Sequence, residues 1–416
     1  MAARYLVAAF GDPGHAFPAI ALGRELRARG HEVCIQTWRR WEADVVREAM
    51  LFAPAPEYHV WPGPGQAFTP YQAAVRAARE TRPLIRDFDP DVVVVDILTV
   101  AASLAAELEE RPWVSLVPHL LPTPEPGLPP YSTGAQPPRT KVGRTLWRAV
   151  DPLTWAAVRR GRDELNGARA RVGLPPLADV HGGLSRRLTL VATFPQLEAA
   201  RTMPTWARVT GPLVWERPAE EDAGSAPPGE EPLVLVAPST SQDPSHRLLR
   251  ATLAGLASEP VRVLAATNGR PLPAGVRVPR NARVLDWPSY SRTMPHCAAV
   301  VCHGGHGTVA QALAAGAPVI CSPAGGDMGE NAARVAWAGA GVSLPWRLTR
   351  PWSVRLAVRR VVGDSRYSKQ AYEFAATART RPGASTAADV LEDLCAPHAG
   401  ARSAAERSRD SVRHTN

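Results

Sequence analysis

The chain has 416 residues, 45% of them hydrophobic and 21% charged, with a formal net charge of +9. That length supports two domains with cores of their own, and that balance excludes disordered, fibrous and membrane-spanning classes. No apolar run reaches the length of a membrane span and the N-terminus lacks a basic-then-apolar leader, so a cytoplasmic protein is expected. The five cysteines (Cys34, Cys297, Cys302, Cys321, Cys395) show no zinc-site spacing and read as buried free thiols. The basic excess is mainly arginine along helical stretches such as Arg159 to Arg171 and Arg350 to Arg360. Nucleic acid is not expected as a partner; an anionic nucleotide or lipid surface stays open.

In chain order, the apolar strand Tyr5 to Phe10 leads into Gly11-Asp12-Pro13-Gly14-His15 and a helical pattern that stops at Arg29-Gly30. A second strand starts at His31, completing a βαβ unit. Four valines ending in Asp96 form a strand buried on both faces, as in a parallel sheet. A helix from Thr99 to Glu110 and a strand from Trp113 to Val117 repeat the unit, so a doubly wound α/β domain is expected. The stretch from His119 to Trp147 is dense in Pro and Gly and reads as a long functional loop. A helix over 148–172 and a strand from Leu188 to Ala192 follow. Glu216 to Pro232, acidic and without large apolar residues, reads as an interdomain linker. Strands then restart at Leu233, Val261, Val300 and Val319.

The segment Val300-Val301-Cys302-His303-Gly304-Gly305-His306-Gly307-Thr308-Val309 joins a buried strand to a helix through three glycines. Free backbone N–H groups and the positive end of the helix dipole converge there, which suits a diphosphate. About twenty residues on, Asp327-Met328-Gly329-Glu330-Asn331 offers polar groups at another strand end. Together they read as a nucleotide-sugar site. Ser239, after the first strand of the second half, is a further phosphate donor or a simple turn residue.

Four pieces recur in order: Gly14-His15-x-x-Pro18, Asp286-Trp287, His303-Gly304-Gly305-x-Gly307-Thr308 and Asp327-x-x-x-Asn331, with Trp287 sixteen residues before His303. The chain resembles the GT-B glycosyltransferases of the UDP-glycosyltransferase-like family, especially actinobacterial enzymes that decorate antibiotics and other natural products. The resemblance covers about residues 4 to 395. It implies an α/β GT-B fold of two Rossmann-like domains facing across a cleft. Residues 1–215 would bind the acceptor, 216–232 form the linker, and 233–396 bind the donor. The last helix is a candidate to pack back on the first domain, and 397–416 would form a disordered tail.

The same resemblance implies inverting transfer from a UDP-sugar or dTDP-sugar to a hydrophobic small molecule, without metal or other cofactor, by a monomer or homodimer. His15 would be the general base and Asp96 its orienting carboxylate, where an N-cap is the plainer role for Asp96. His303, Gly304, Gly305, Gly307, Thr308 and Ser239 would hold the diphosphate. Asp327, Met328 and Glu330 would face the donor sugar, and Trp287 or Tyr290 the nucleobase. Met328 stands where the family usually has Gln; a thioether cannot satisfy two sugar hydroxyls as an amide can, so either the donor is a deoxysugar or Met328 only packs and Asp327 alone holds the sugar. Phe17, Phe52, Trp61, Phe68, Tyr71 and Leu120 are candidates for an apolar acceptor wall, some of them for the core. Three other readings compete: a nucleotide-sugar epimerase, a degenerate accessory protein, and an NAD-dependent dehydrogenase. Gly11 to His15 lacks the Gly-x-Gly-x-x-Gly spacing of the last.

Overall fold

A computed structural model of the protein describes residues 2–56, 71–178, 183–218, 226–239, 242–272 and 275–395. Runs of β-branched and apolar residues without alternation demand burial on both faces, and a parallel sheet covered by helices supplies it. The first domain builds such a sheet from β1 (Arg4–Ala8), β2 (Glu32–Thr37), β3 (Leu51–Pro54), β4 (Val92–Asp96), β5 (Trp113–Val117), β6 (Thr189–Val191) and β7 (Ala207–Val209), in the order 3-2-1-4-5-6-7. Every residue of β4 is buried. The second domain uses β8 (Leu233–Ala237), β9 (Arg262–Ala266), β10 (Ala282–Leu285), β11 (Cys297–Cys302), β12 (Val319–Cys321) and β13 (Gly341–Ser343), in the order 10-9-8-11-12-13. All the pairings are parallel.

In each sheet the winding direction reverses between two central strands, β1 and β4 in the first, β8 and β11 in the second. A crevice opens beyond the carboxyl ends of strands at such a switch. His15 follows β1, Asp96 ends β4, Ser239 follows β8 and His303 follows β11. The strand order alone therefore gathers the candidate residues at two facing crevices.

Two features tie the domains together. Leu120, Phe194 and Leu197 of the first domain share a hydrophobic cluster with Val300, Val309 and Phe374 of the second. A helix over 383–395 returns to the first domain, where Ala387, Ala388 and Leu391 are fully enclosed beside Tyr5 and Leu26. Arg29 Nη1 donates to Asp389 Oδ1 (2.6 Å) and Glu392 Oε2 (2.9 Å), and His31 Nε2 meets Glu392 Oε1 at 2.7 Å.

The stretch His119 to Trp147 is not all loop: Lys141–Arg148 is helical, followed by the helix Asp151–Arg171. The helix starts once the prolines end at Pro138, with Thr140 Oγ1 accepting from Gly143 N (3.1 Å) as its cap. At the linker, Glu216 accepts from Tyr290 N (2.6 Å) and Ser291 N (2.9 Å). The linker centre, 219–225, and the tail, 397–416, lie outside the described residues.

Candidate active site

Pro13 at the first position of the helix Pro13–Ala28 starts it directly after β1, and His15 falls in its first turn. His15 Nδ1 lies 2.8 Å from Asp96 Oδ2, and Asp96 is wholly buried at the end of β4. Leu98 N donates to the other oxygen, Asp96 Oδ1, at 3.0 Å. A carboxylate so placed accepts the Nδ1 proton and leaves Nε2 as the basic nitrogen. Burial works against a charged His15, yet the charge and hydrogen bond of Asp96 outweigh it, with Asp327 and Asp12 adding, and its pKa is raised. The ring meets Phe10 edge-on on one side (6.2 Å between centroids) and His119 on the other (6.1 Å).

Across the cleft, β11 ends in the turn before the helix His306–Ala314. Gly304 takes φ +83°, and a Cβ there would stand 3.0 Å from Met328 O; a Cβ on Gly305 would collide with His303 Nε2 at 2.2 Å. The turn therefore needs both glycines. His303 Nδ1 donates to Ala237 O (3.2 Å), and burial lowers its pKa. Gly307 is exposed and Thr308 half-buried, so both remain accessible at the helix N-terminus. Asn331 Nδ2 donates to Gly304 O (3.0 Å) and to Asp327 Oδ2 (2.9 Å), tying the glycine turn to the candidate sugar carboxylate. His306, 7% exposed, places Nε2 3.3 Å from Ala192 O of the first domain and Nδ1 3.2 Å from Asn331 Oδ1.

Residues 5–113 match the family described as glycosyltransferase family 28, N-terminal domain, and residues 250–394 match the erythromycin biosynthesis protein CIII-like C-terminal domain. A 4'-demethylrebeccamycin synthase from Lentzea aerocolonigenes is 30% identical, over 95% of this chain and 100% of that one. The chain belongs to the actinobacterial natural-product glycosyltransferases. A PGL/p-HBAD biosynthesis rhamnosyltransferase from Mycobacterium bovis is 31% identical over 72% of this chain and 66% of its own. The GT-B fold is shared with the Streptomyces sp. SF2575 glycosyltransferase SsfS6 complexed with thymidine diphosphate (TM-score 0.65, 24% identity, 94% of this chain and 99% of that one).

In this glycosyltransferase the remaining candidates divide. Ser239 Oγ accepts from Gln242 N (2.9 Å), while its carbonyl accepts from Arg270 Nη2 (2.7 Å), so it braces the loop after β8. Trp287 is 62% exposed, its indole lying over Gly269, and a ring so presented is available for stacking. Tyr290 instead packs against the second-domain core, and burial raises its phenol pKa. Glu330 is also placed otherwise than expected for a sugar ligand. It is 2% exposed and pairs with Arg334 (2.8 Å) within electrostatic reach of Glu198 and Arg201 of the first domain. One helical turn from Asp327 carries it to the interdomain face.

Among the acceptor candidates, Phe17 packs edge-on against Trp41 and Trp215, and Leu120 is 1% exposed in the interdomain cluster; both are packing residues. Phe52 also packs on the first-domain core. Tyr71 is half-buried at the start of the helix Gln72–Phe88. Trp61 and Phe68 lie outside the described residues.

Two residues beside the dyad escaped the sequence reading. His119 Nδ1 lies 2.8 Å from Leu120 O and 3.1 Å from the Tyr131 hydroxyl. A carbonyl can only accept, so Nδ1 carries the proton and Nε2 is left bare. Burial lowers its pKa, although Asp327 pulls the other way. His119 lies two residues past the end of β5, at the same carboxyl edge of the sheet as Asp96 on β4, and that position was the available signal. A cavity of about 490 Å³ lies at the opposite edge of the first sheet, lined by Glu107, Arg111, Trp113 and Arg169. It lies away from the dyad.

Proposed function

We propose that this enzyme transfers a sugar from a dTDP-linked donor to a hydrophobic natural-product acceptor in a single inverting displacement. The observation that carries this reading is the His15–Asp96 pair at the first-domain crevice, within electrostatic reach of Asp327 in the second. His15 Nε2 takes the proton of the acceptor's hydroxyl as its oxygen attacks the anomeric carbon. The bond from that carbon to the diphosphate breaks with its electron pair, and the imidazolium is steadied by Asp96. The backbone N–H groups at Gly307 and Thr308, with the Thr308 hydroxyl, take up charge on the departing diphosphate without a metal.

Asp327 accepts from donor-sugar hydroxyls, and Met328 beside it favours a sugar lacking one or more of them. The thymidine diphosphate bound by SsfS6 and the rhamnosyl group in the name of the mycobacterial relative support dTDP and a deoxysugar. Trp287 stacks on the base.

The test compares wild type with His15→Ala, using dTDP-rhamnose and dTDP-glucose and a panel of aromatic hydroxyl acceptors. The substitution should cut turnover by about 10²–10⁴-fold while leaving the rise in Tm with dTDP intact. Rhamnose should outpace glucose, and the product should have inverted anomeric configuration by NMR. Undiminished turnover in His15→Ala rules out the base assignment; preference for glucose rules out the deoxysugar.

A further inference from the structure

Residues 139–171 hold nine basic and three acidic residues, a net +6 out of the chain's +9. They form the helices Lys141–Arg148 and Asp151–Arg171, joined by Ala149 (φ −64°, ψ −21°) and Val150 (φ −91°, ψ −16°). Both joining residues lie in the right-handed helical region, and i→i−3 bonds (Ala149 N to Leu146 O, Val150 N to Trp147 O, Leu153 N to Val150 O) bridge the two helices by a tight turn in the same sense. Val142, Leu146, Ala149 and Leu153 succeed one another at steps of four, three and four, which places them on one face. Val142, Leu146 and Leu153 are 71%, 70% and 74% exposed, and no residue of Lys141–Arg148 is buried. Trp155, Lys141, Arg148 and Arg159 are exposed as well.

An apolar stripe left in water by a soluble fold is an interaction surface. We propose that this helical segment docks on an anionic lipid bilayer, with the stripe entering the interface and the flanking lysine and arginines meeting the headgroups. The chemistry selects that partner. Protein interfaces are depleted of charge at their centres, and a second copy would bring one net +6 segment against another. Nucleic acid would use the cations but offers no surface for three aliphatic side chains. A bilayer rich in anionic lipid uses both.

The experiment is sedimentation of the full chain with vesicles of phosphatidylcholine alone or mixed with phosphatidylglycerol, at low and high salt. Binding is expected only with phosphatidylglycerol, and it should weaken in high salt. The variants Val142→Ser/Leu146→Ser/Leu153→Ser and Lys141→Gln/Arg148→Gln/Arg159→Gln should each reduce it by more than about tenfold. Both should keep the wild-type Tm and its rise with dTDP. Equal binding to both vesicle types, no binding, or binding unchanged in either variant would overturn the proposal. So would a fall in the protein's solution mass in the serine variant without vesicles, which would make a second copy the occupant.

Discussion

The imidazoles at the cleft differ in how readily they take a proton because each faces a different second partner. His15 has the Asp96 carboxylate at Nδ1; His303 has the Ala237 carbonyl, and His119 the Leu120 carbonyl. A carbonyl fixes the tautomer but does little to favour the cation, so burial prevails and lowers the pKa of the last two, while His15 is raised. For His303 this has a measurable consequence if its ring binds the donor's diphosphate. Its one neutral-state proton is committed to Ala237, so Nε2 can donate to a phosphate only after taking up another. dTDP binding should therefore absorb a proton at His303, and affinity should rise as pH falls, by up to about tenfold per unit. Calorimetry in buffers of different ionisation enthalpy reads this directly. Wild type should show a buffer dependence that His303→Gln lacks; identical behaviour would leave the diphosphate to the backbone and Thr308 alone.

Between the helices Pro195–Glu198 and Met328–Trp337 lie two ion pairs, Glu198 with Arg201 (3.7 Å) and Glu330 with Arg334 (2.8 Å). Glu198 Oε2, Arg201 Nε, Glu330 Oε2 and Arg334 Nη1 are buried without a hydrogen-bond partner among the described residues. Such a cluster stabilises little by existing and costs much when halved. Arg334→Met should lower stability by about 3–5 kcal/mol, while Glu330→Leu/Arg334→Met should recover most of the loss. Chemical denaturation decides it, and a single-variant loss under about 1 kcal/mol would show that water already relieves the cluster. The same helix marks the limit of what the sequence made legible. Its spacing from Asp327 was plain, but which of its faces meets the first domain depends on packing between distant segments, so Glu330 read as a sugar ligand. The central strands β1, β4, β8 and β11 were legible because burial on both faces enforces unbroken apolar runs, and residues at or after their carboxyl ends (Asp96 and His303, with His15 in the helix that follows β1) came with them. The edge strands β3, β7, β10 and β13 were not, being short and partly exposed. His119 and Tyr131 were hidden for a related reason: they sit where a strand gives way to a Pro-rich segment with no period of its own.

Across the whole molecule, the domain seam is also a line of neutral histidines. His119, His303 and His306 are all held below their ordinary pKa, chiefly by burial. The unfolded chain protonates them near pH 6.5, roughly the free imidazole value, while the folded chain resists until lower pH. Their contribution to stability is thus complete above that value and lost as pH falls through it, by about 1.4 kcal/mol per unit for each group that remains unprotonated. His15, raised by Asp96, works in the opposite sense: its contribution is full below pH 6.5 and lost as pH rises through its folded pKa. Three groups against one should leave a net loss of stability on acidification from pH 7 to pH 5. His306 has a particular part in it, because burial and the neighbouring His119 hold its pKa down even though the contacts to Asn331 Oδ1 and Ala192 O favour the protonated ring. Tm measured across that range should fall in wild type and fall less in His306→Asn, which lacks the titrating group. Saturating dTDP should flatten the curve further, since a donor that draws a proton onto His303 removes one of the three opposing terms. A Tm indifferent to pH, in wild type and variant alike, would mean that water reaches these imidazoles and that the seam opens far enough to solvate them before the chain unfolds.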